Sequence, residues 1–133
     1  MKTVFVNGTF DILHPGHVAL LNTARTYGDY LVVAIDTDRR VQELKGIDRP
    51  VNDQNVRRIM LNNLKAVGHV EIFDTDAELM DIMKTYKPDV MLKGSDWEGK
   101  DIVGAHLVKR IEFFNRIDEY STTKTIQSIT DRR

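Results

Sequence analysis

Five short apolar runs alternate along this chain with segments that carry the apolar spacing of a helix. The runs predict strands at residues 3–7, 30–35, 70–73, 90–93 and 112–116. The intervening patterns predict helices at residues 17–27, 53–66, 76–85, 102–109 and 122–129. Because strands that alternate with helices connect through right-handed crossovers, this order predicts an α/β fold: a doubly wound parallel five-stranded sheet with helices on both faces.

The composition limits the classes to which the protein can belong. Its 133 residues suffice for one domain, which we expect to span residues 1–133. Nineteen basic and twenty acidic residues leave a formal charge of −1, which argues against nucleic acid or a membrane surface as partner. The chain has no cysteine, so disulfides and thiolate chemistry are excluded. No apolar run approaches bilayer-spanning length or forms a signal peptide, and we therefore expect a cytoplasmic protein.

Residues 7–17, NGTFDILHPGH, join the first predicted strand to the first predicted helix. The backbone N–H groups at a helix N-terminus favour a negative charge. His14 and His17 add two imidazole donors there, and Gly16 between them lets a ligand approach the backbone. The segment therefore suits a phosphate group whose negative charge increases during a reaction.

Two other interpretations start from the same histidine pair. The HxxH spacing is also a chelating spacing, but His69 and His106 are isolated elsewhere in the sequence and no third ligand is evident, which argues against zinc. Alternatively, His17 has only a structural role and caps the N-terminus of the helix.

Polar segments follow four of the predicted strands. They are residues 7–17, 36–38, 93–96 and 116–123. In an open parallel sheet the ligand crevice lies beyond the carboxyl ends of the strands, so we expect all four segments to border one site.

Five segments of the sequence resemble a known superfamily. Residues 14–17, HPGH, resemble the HxGH signature of the nucleotidyltransferases, whose members attack the α-phosphate of a nucleoside triphosphate. Residues 44–52, LKGIDRPVN, and residues 93–96, KGSD, resemble the heptose-phosphate adenylyltransferases. Residues 116–123, RIDEYSTT, and residues 96–100, DWEGK, are similar to elements of the glycerol-3-phosphate cytidylyltransferases. The resemblance covers nearly the whole chain and implies a Rossmann-like fold of the HxGH type.

The resemblance also implies roles for individual residues. The catalytic set is His14, His17, Lys45 and Arg116. The nucleotide-binding set is Gly8, Thr9, Phe10, Asp11, Gly16, Lys93, Gly94, Asp96, Tyr120, Ser121, Thr122 and Thr123. The acceptor-binding set is Asp36, Arg49, Arg57 and Trp97. Mg²⁺ is the expected cofactor and would be held mainly by the triphosphate, with Asp11 as the one candidate protein ligand.

Several of these residues also have an ordinary structural explanation. Ser121 is a good helix cap, Asp96 can bond within its own turn, and Trp97 can pack at the surface. Arg57 could be a solvated helix charge, although Arg58 is the better candidate for that role, because adjacent residues do not share a helix face.

The reaction implied by the resemblance is in-line attack by the acceptor's phosphate on the α-phosphorus, with release of pyrophosphate and without a protein nucleophile. The first expectation is ATP with a sugar phosphate such as heptose 1-phosphate, and the alternative is CTP with glycerol 3-phosphate. Members of these families are commonly dimeric, so a homodimer is expected. Neither a nucleic acid nor a membrane is an expected partner.

Two departures from the family pattern keep other classes open. Glu119 stands where the cytidylyltransferase element usually has a glycine, and Lys65 stands where an arginine is usual. A nucleotide-binding module without turnover is therefore a second hypothesis. A phospho-acceptor receiver domain is a weaker one, because its Lys-Pro pair follows a strand, whereas Lys87-Pro88 precedes one here.

Overall fold

The structure, a computed structural model, describes residues 1–115 and 121–132. Its strands are β1 (Thr3–Gly8), β2 (Tyr30–Asp36), β3 (His69–Phe73), β4 (Val90–Gly94) and β5 (Arg110–Phe114). Every pairing is parallel, and the spatial order is β3-β2-β1-β4-β5. The chain builds outward from β1 to β3 and then continues on the other side of β1, which confirms the predicted doubly wound sheet.

The helices are α1 (Pro15–Thr26), α2 (Asp38–Lys45), α3 (Gln54–Asn62), α4 (Asp76–Tyr86) and α5 (Thr122–Asp131). Four begin at a polar cap whose side chain accepts a hydrogen bond from the backbone three residues further on: Thr37, Asp53, Thr75 and Ser121. Within the described ranges, no helix is both long and apolar enough to cross a membrane.

The helix α2 was not predicted. It is short and strongly polar, and Val41 is its one buried residue, so it carries almost no apolar periodicity. Its C-cap, Gly46, has a φ of +105°, which ends the helix directly after Lys45.

The helix predicted at residues 102–109 is wrong, because only Ala105–Leu107 forms a short 3₁₀ turn. Gly104 starts that turn in a left-handed conformation, with a φ of +80°. The backbone N–H groups of Lys109 and Arg110 donate to the carbonyl of Asp89, so β5 starts at residue 110 rather than at the predicted 112. The helix α3 also ends four residues earlier than predicted.

The two faces of the sheet bury separate apolar clusters. Along β1, Val4 and Val6 face one cluster and Phe5 faces the other, as expected for alternate residues of a strand. The first cluster packs against α1 and α3, for example through Leu21. The second packs against α4 through Leu79. The prediction of helices on both faces is confirmed, and the polar strand ends lie at the edge of this core.

Candidate active site

A cleft of about 290 Å³ opens at the carboxyl ends of β1 and β4. The predicted site residues that line it are Phe10, His14, Gly16, His17, Lys45, Lys93, Gly94, Asp96, Trp97, Ser121, Thr122 and Thr123. Apolar side chains, among them those of Leu20 and Phe114, complete the wall. Segments that are far apart in the sequence meet here because parallel strands end at the same edge of the sheet.

The two histidines form a reciprocal cap at the start of α1. The Nδ1 atom of His14 accepts a hydrogen bond from the Gly16 N–H at 3.0 Å. The Nδ1 atom of His17 in turn accepts from the His14 N–H at 3.3 Å. A neutral imidazole whose Nδ1 accepts carries its proton on Nε2. The same bonds that cap the helix therefore make both rings Nε2–H donors.

Burial and mutual contact keep these rings uncharged. The ring centroids lie 3.8 Å apart with an interplanar angle of 24°. Burial lowers the pKa of His14. The pKa of His17 falls from 6.5 to about 4, first because of burial and then because of nearby His14 and Lys45, while Asp11 opposes the shift. Near neutral pH the pair donates two N–H groups without adding a charge of its own.

Two lysines supply positive charge to the cleft. Lys93 lies at the end of β4, where its Nζ donates to Asn7 Oδ1 at 3.4 Å and lies 4.6 Å from the centroid of the Trp97 ring. Burial lowers the pKa of Lys93, whereas Asp36 and Asp96 oppose that shift. Lys45 is the last residue of α2. An anion in the cleft would offset the cost of burying the Lys93 charge.

A second helix begins at the same cleft. The Ser121 Oγ caps α5 by accepting from the Lys124 N–H at 2.9 Å, which confirms the predicted cap. Thr122 donates through its hydroxyl to the carbonyl of Asp11. The N-termini of α1 and α5 therefore border one cavity, and each favours an anion there.

Two glycines leave space for side chains of the site. A Cβ on Gly8 would lie 3.0 Å from the ring of Phe10, whose centroid is 5.3 Å from that of His17. A Cβ on Gly94 would lie 2.7 Å from Asp96 Oδ1. These glycines therefore act by allowing close packing, a role compatible with the predicted nucleotide contacts.

Asp11 is engaged within the protein rather than exposed in the cleft. Its side chain is buried, with Oδ2 accepting from the Val51 N–H at 2.7 Å and Oδ1 accepting from the Asn52 N–H at 2.9 Å. The Nε atom of Arg49 lies 3.6 Å from Oδ2. Both carboxylate oxygens therefore hold the loop before α3, and the geometry does not favour Asp11 as a metal ligand.

The described residues contain no group of three or more His, Cys, Asp or Glu side chains placed to hold a metal ion. These residues therefore offer no support for the alternative of a zinc site built on His14 and His17. That the triphosphate would supply most ligands to Mg²⁺ stays a prediction.

Three predicted acceptor-binding residues and Thr9 lie beneath the cleft rather than on its wall. Arg57 is fully buried and its guanidinium donates to protein oxygens, so it is not exposed on the cleft wall; the acceptor contact implied by the resemblance stays a prediction. Asp36 is also buried, which raises its pKa, and the Thr9 hydroxyl lies 3.5 Å from its Oδ2. The guanidinium of Arg49 is turned toward Asp11.

The remaining predictions fall outside the described residues. They concern Arg116, Tyr120 and the departure at Glu119. Asn7 lines the cleft and Asp38 accepts from Arg57; both belong to segments expected to border the site, but neither was given a role of its own. Asn7 could have been found as the last polar residue of a buried strand, whereas the partner of Asp38 depends on the unpredicted α2.

Two helix N-termini, two neutral imidazoles and two lysines share a cleft at the carboxyl edge of a parallel sheet. This combination defines a phosphate-binding α/β protein suited to a nucleotide. A model of the cytidylyltransferase-like family matches residues 5–128. The chain belongs to this family and is a nucleotidyltransferase.

Individual relatives agree with that assignment. The chain is 48% identical to the bifunctional protein HldE of Campylobacter fetus over 95% of its length, and 46% identical to HldE of Campylobacter concisus over 99%. These alignments span 27% and 28% of the relatives, so the chain corresponds to little more than a quarter of their length. A crystal structure of a lipopolysaccharide core biosynthesis protein from Thermoplasma volcanium superimposes with a TM-score of 0.72 at 28% identity, covering 86% of this chain and 98% of that one.

Proposed function

We propose that the protein transfers a nucleoside monophosphate from ATP to the phosphate of a small sugar phosphate such as heptose 1-phosphate. An acceptor phosphate oxygen would form a bond to the α-phosphorus, the bond between that phosphorus and the bridging α–β oxygen would break, and pyrophosphate would leave. The observation that carries the proposal is the neutral histidine pair at the N-terminus of α1, in one cleft with the N-terminus of α5.

The residues of the cleft would act mainly by positioning and charge stabilisation. The Nε2–H groups of His14 and His17 would donate to α-phosphoryl oxygens, whose charge rises as the acceptor attacks. Donors that are already oriented require no reorganisation during the reaction, and each such donor is worth about 3 kcal/mol in comparable sites. Lys45 and Lys93 would neutralise the β- and γ-phosphates and the leaving pyrophosphate.

Mg²⁺ would enter with the nucleotide. When bound, it would neutralise charge on the triphosphate and on the departing pyrophosphate. The cleft fits a nucleotide that brings its own cation, because the described residues supply donors and positive charges rather than a cluster of carboxylates.

Two similarities favour ATP and a sugar phosphate. The LKGIDRPVN segment resembles the heptose-phosphate adenylyltransferases, and relatives over nearly the whole chain are HldE proteins. The specific observation for CTP and glycerol 3-phosphate is Trp97, which belongs to the DWEGK string and lines the cleft. We further propose a cytoplasmic homodimer that acts without nucleic acid or membrane.

The experiment measures pyrophosphate release with Mg²⁺ while ATP and CTP are crossed with heptose 1-phosphate and glycerol 3-phosphate. A His14→Asn control keeps a good helix cap but removes the ring donor. Release with ATP and heptose 1-phosphate that is lost in the control supports the proposal. Release only with CTP and glycerol 3-phosphate supports the alternative, and nucleotide binding without release from any pair supports a non-catalytic module.

A further inference from the structure

Three segments of the chain meet at one buried guanidinium. Arg57 donates from Nε to the carbonyl of Asn52 at 3.0 Å, and from Nη1 to the carbonyl of Thr9 at 3.0 Å. Its Nη2 donates to Asp38 Oδ1 at 2.8 Å. Thr9 belongs to the histidine loop (residues 9–14, between β1 and α1), Asn52 to the loop before α3, and Asp38 to the first turn of α2. Arg57 itself lies in α3, so a single side chain ties four pieces of structure together.

Asp11 makes a reciprocal connection between two of these segments. It belongs to the histidine loop, and its carboxylate accepts from the backbone of Val51 and Asn52 in the loop before α3. The two loops are therefore fixed to each other by donors from Arg57 and acceptors on Asp11. Loss of either side chain would remove hydrogen-bond partners from partly buried backbone groups in both loops.

The histidine loop needs such external support because its backbone is strained. Phe10 has a φ of +53° and Ile12 a φ of +47°, a left-handed conformation that residues other than glycine rarely adopt. Such residues persist when their surroundings determine the conformation. The bond from Arg57 to the Thr9 carbonyl acts immediately before the first of them, and the Asp11 carboxylate acts between them.

The third contact of Arg57 is made with α2, the helix that ends at Lys45. Asp38 is the first residue of α2, and Lys45 is the last residue of the same eight-residue helix. Asp38 is also held by its backbone N–H, which donates to Gln54 Oε1 at 3.0 Å. A shift at the start of so short a helix would move Lys45 relative to the histidines. Arg57 therefore lies where it can set the distance between Lys45 and the histidine pair.

We infer that Arg57 is a positioning residue that couples the histidine loop to the helix and loop that carry Lys45 and Arg49. The inference rests on the proposed function, since the coupling assembles both halves of the reaction site. A fork of donors to three segments also explains why lysine would not suffice, because an ammonium group cannot reproduce the planar geometry. Arg57 acts through these segments and does not touch the substrates.

The test compares Arg57→Met with Arg58→Met, in which the neighbouring exposed arginine is changed in the same way. Hydrogen–deuterium exchange is followed in peptides that cover residues 9–12 and 50–52, and kcat and KM are measured for both substrates. For Arg57→Met we expect exchange to rise at both loops, and kcat to fall about a hundredfold, as for other small misplacements of catalytic groups. For Arg58→Met we expect neither change.

A rise in the KM of the acceptor alone, with unchanged exchange at both loops, would overturn the inference and favour direct acceptor binding. If Arg57→Met does not fold, Asp38→Asn decides, because it removes the charged partner at the start of α2 and leaves the two carbonyl contacts of Arg57 in place. Increased exchange with a lower kcat supports the coupling, and wild-type values for both contradict it. Exchange is measured without turnover, so absence of pyrophosphate release would refute the proposed function without obscuring this result.

Discussion

The two ends of the sheet use their charged residues in opposite ways. At the amino end, Asp29 accepts from the Lys2 N–H and Asp89 accepts from the Thr3 N–H, each at 2.9 Å. The Thr3 N–H and the nearby Lys109 lower the pKa of Asp89, which means that its negative charge is stabilised. At the carboxyl end, burial lowers the pKa values of His17 and Lys93, which means that positive charge there is disfavoured.

This difference separates carboxylates whose charge the fold stabilises from cleft residues whose positive charge the fold disfavours. The carboxylates of the amino end accept hydrogen bonds from the backbone, so they contribute to stability. The cleft holds N–H donors and a half-buried lysine near two helix N-termini, and an added anion would interact favourably with these groups. Substitutions at the amino end should therefore lower the free energy of unfolding, whereas substitutions in the cleft should change kcat or KM.

The largest effect is expected at the histidines. His14→Asn and His17→Gln keep side-chain oxygens that can cap α1, so the free energy of unfolding should change little. Each variant removes an oriented N–H donor, and kcat should fall by about 10²–10³-fold. Steady-state kinetics and urea unfolding of the same preparations check both statements. Wild-type kcat in either folded variant would contradict the assigned role of that ring.

The next effect is expected at the amino end and concerns stability. Asp89→Ala leaves the buried Thr3 N–H without its acceptor, and the free energy of unfolding should fall by about 1–3 kcal/mol. Because the site is at the other end of the sheet, kcat of the folded fraction should not change. Asp101→Ala, at an exposed position, is the matched control. A loss of kcat in Asp89→Ala without a loss of stability would break the distinction between the two ends.

A smaller effect is expected when a lysine is removed from each end. Lys93→Gln should raise the KM for the nucleotide about tenfold, since a charge-assisted contact to phosphate is lost. Lys109→Gln removes an exposed lysine that pairs with Asp89 at 3.2 Å, and it should leave that KM unchanged. Equal increases in the KM for the nucleotide in the two variants would show that the net charge of the protein, rather than the position of Lys93 in the cleft, determines nucleotide affinity.

The last effect is confined to acidic pH and is a pH dependence of stability that belongs to His17. Its pKa is about 4 in the folded protein and 6.5 as its ordinary value, so the unfolded chain binds more protons between these values. This contribution to stability is present above pH 6.5 and is lost as the pH falls toward 4. Because the two proteins should have similar stability near neutral pH, wild type should become progressively less stable than His17→Gln as the pH falls across that window, while contributions from other groups cancel. A difference that does not vary with pH would show that the ring titrates normally.

Much of the fold follows from local patterns, and the exceptions have physical causes. The strands β1, β2 and β4 are built around runs of buried, mostly apolar residues, and the motif segment places His14 and His17 at the start of α1 as predicted. The helix α2 was missed because a short polar helix with one buried residue has little periodicity. The false helix at residues 102–109 arose because a glycine and a strand pairing, neither of which is an apolar pattern, decide that region.

The same distinction, between what local patterns predict and what depends on contacts distant in sequence, applies to the residues of the site. Residues at the carboxyl end of a strand, such as Lys93 and Gly94, were found because the topology fixes where strand ends meet. The burial of Arg57 could not be predicted, because it depends on carbonyls contributed by Thr9 and Asn52 and on a helix that the sequence did not reveal. Sequence alone also gives no indication that both Nδ1 atoms of the histidine pair accept backbone hydrogen bonds.

The most direct test of the account is ¹⁵N NMR of the histidine rings at pH 7, with and without a non-hydrolysable nucleotide triphosphate and Mg²⁺. The account predicts that His14 and His17 are both neutral and protonated on Nε2, and that both Nε2–H resonances shift when the nucleotide binds. The His14→Asn and His17→Gln variants assign the signals. Imidazolium rings or protonation on Nδ1 in the free protein, or Nε2–H signals that nucleotide leaves unchanged, would contradict the central claim.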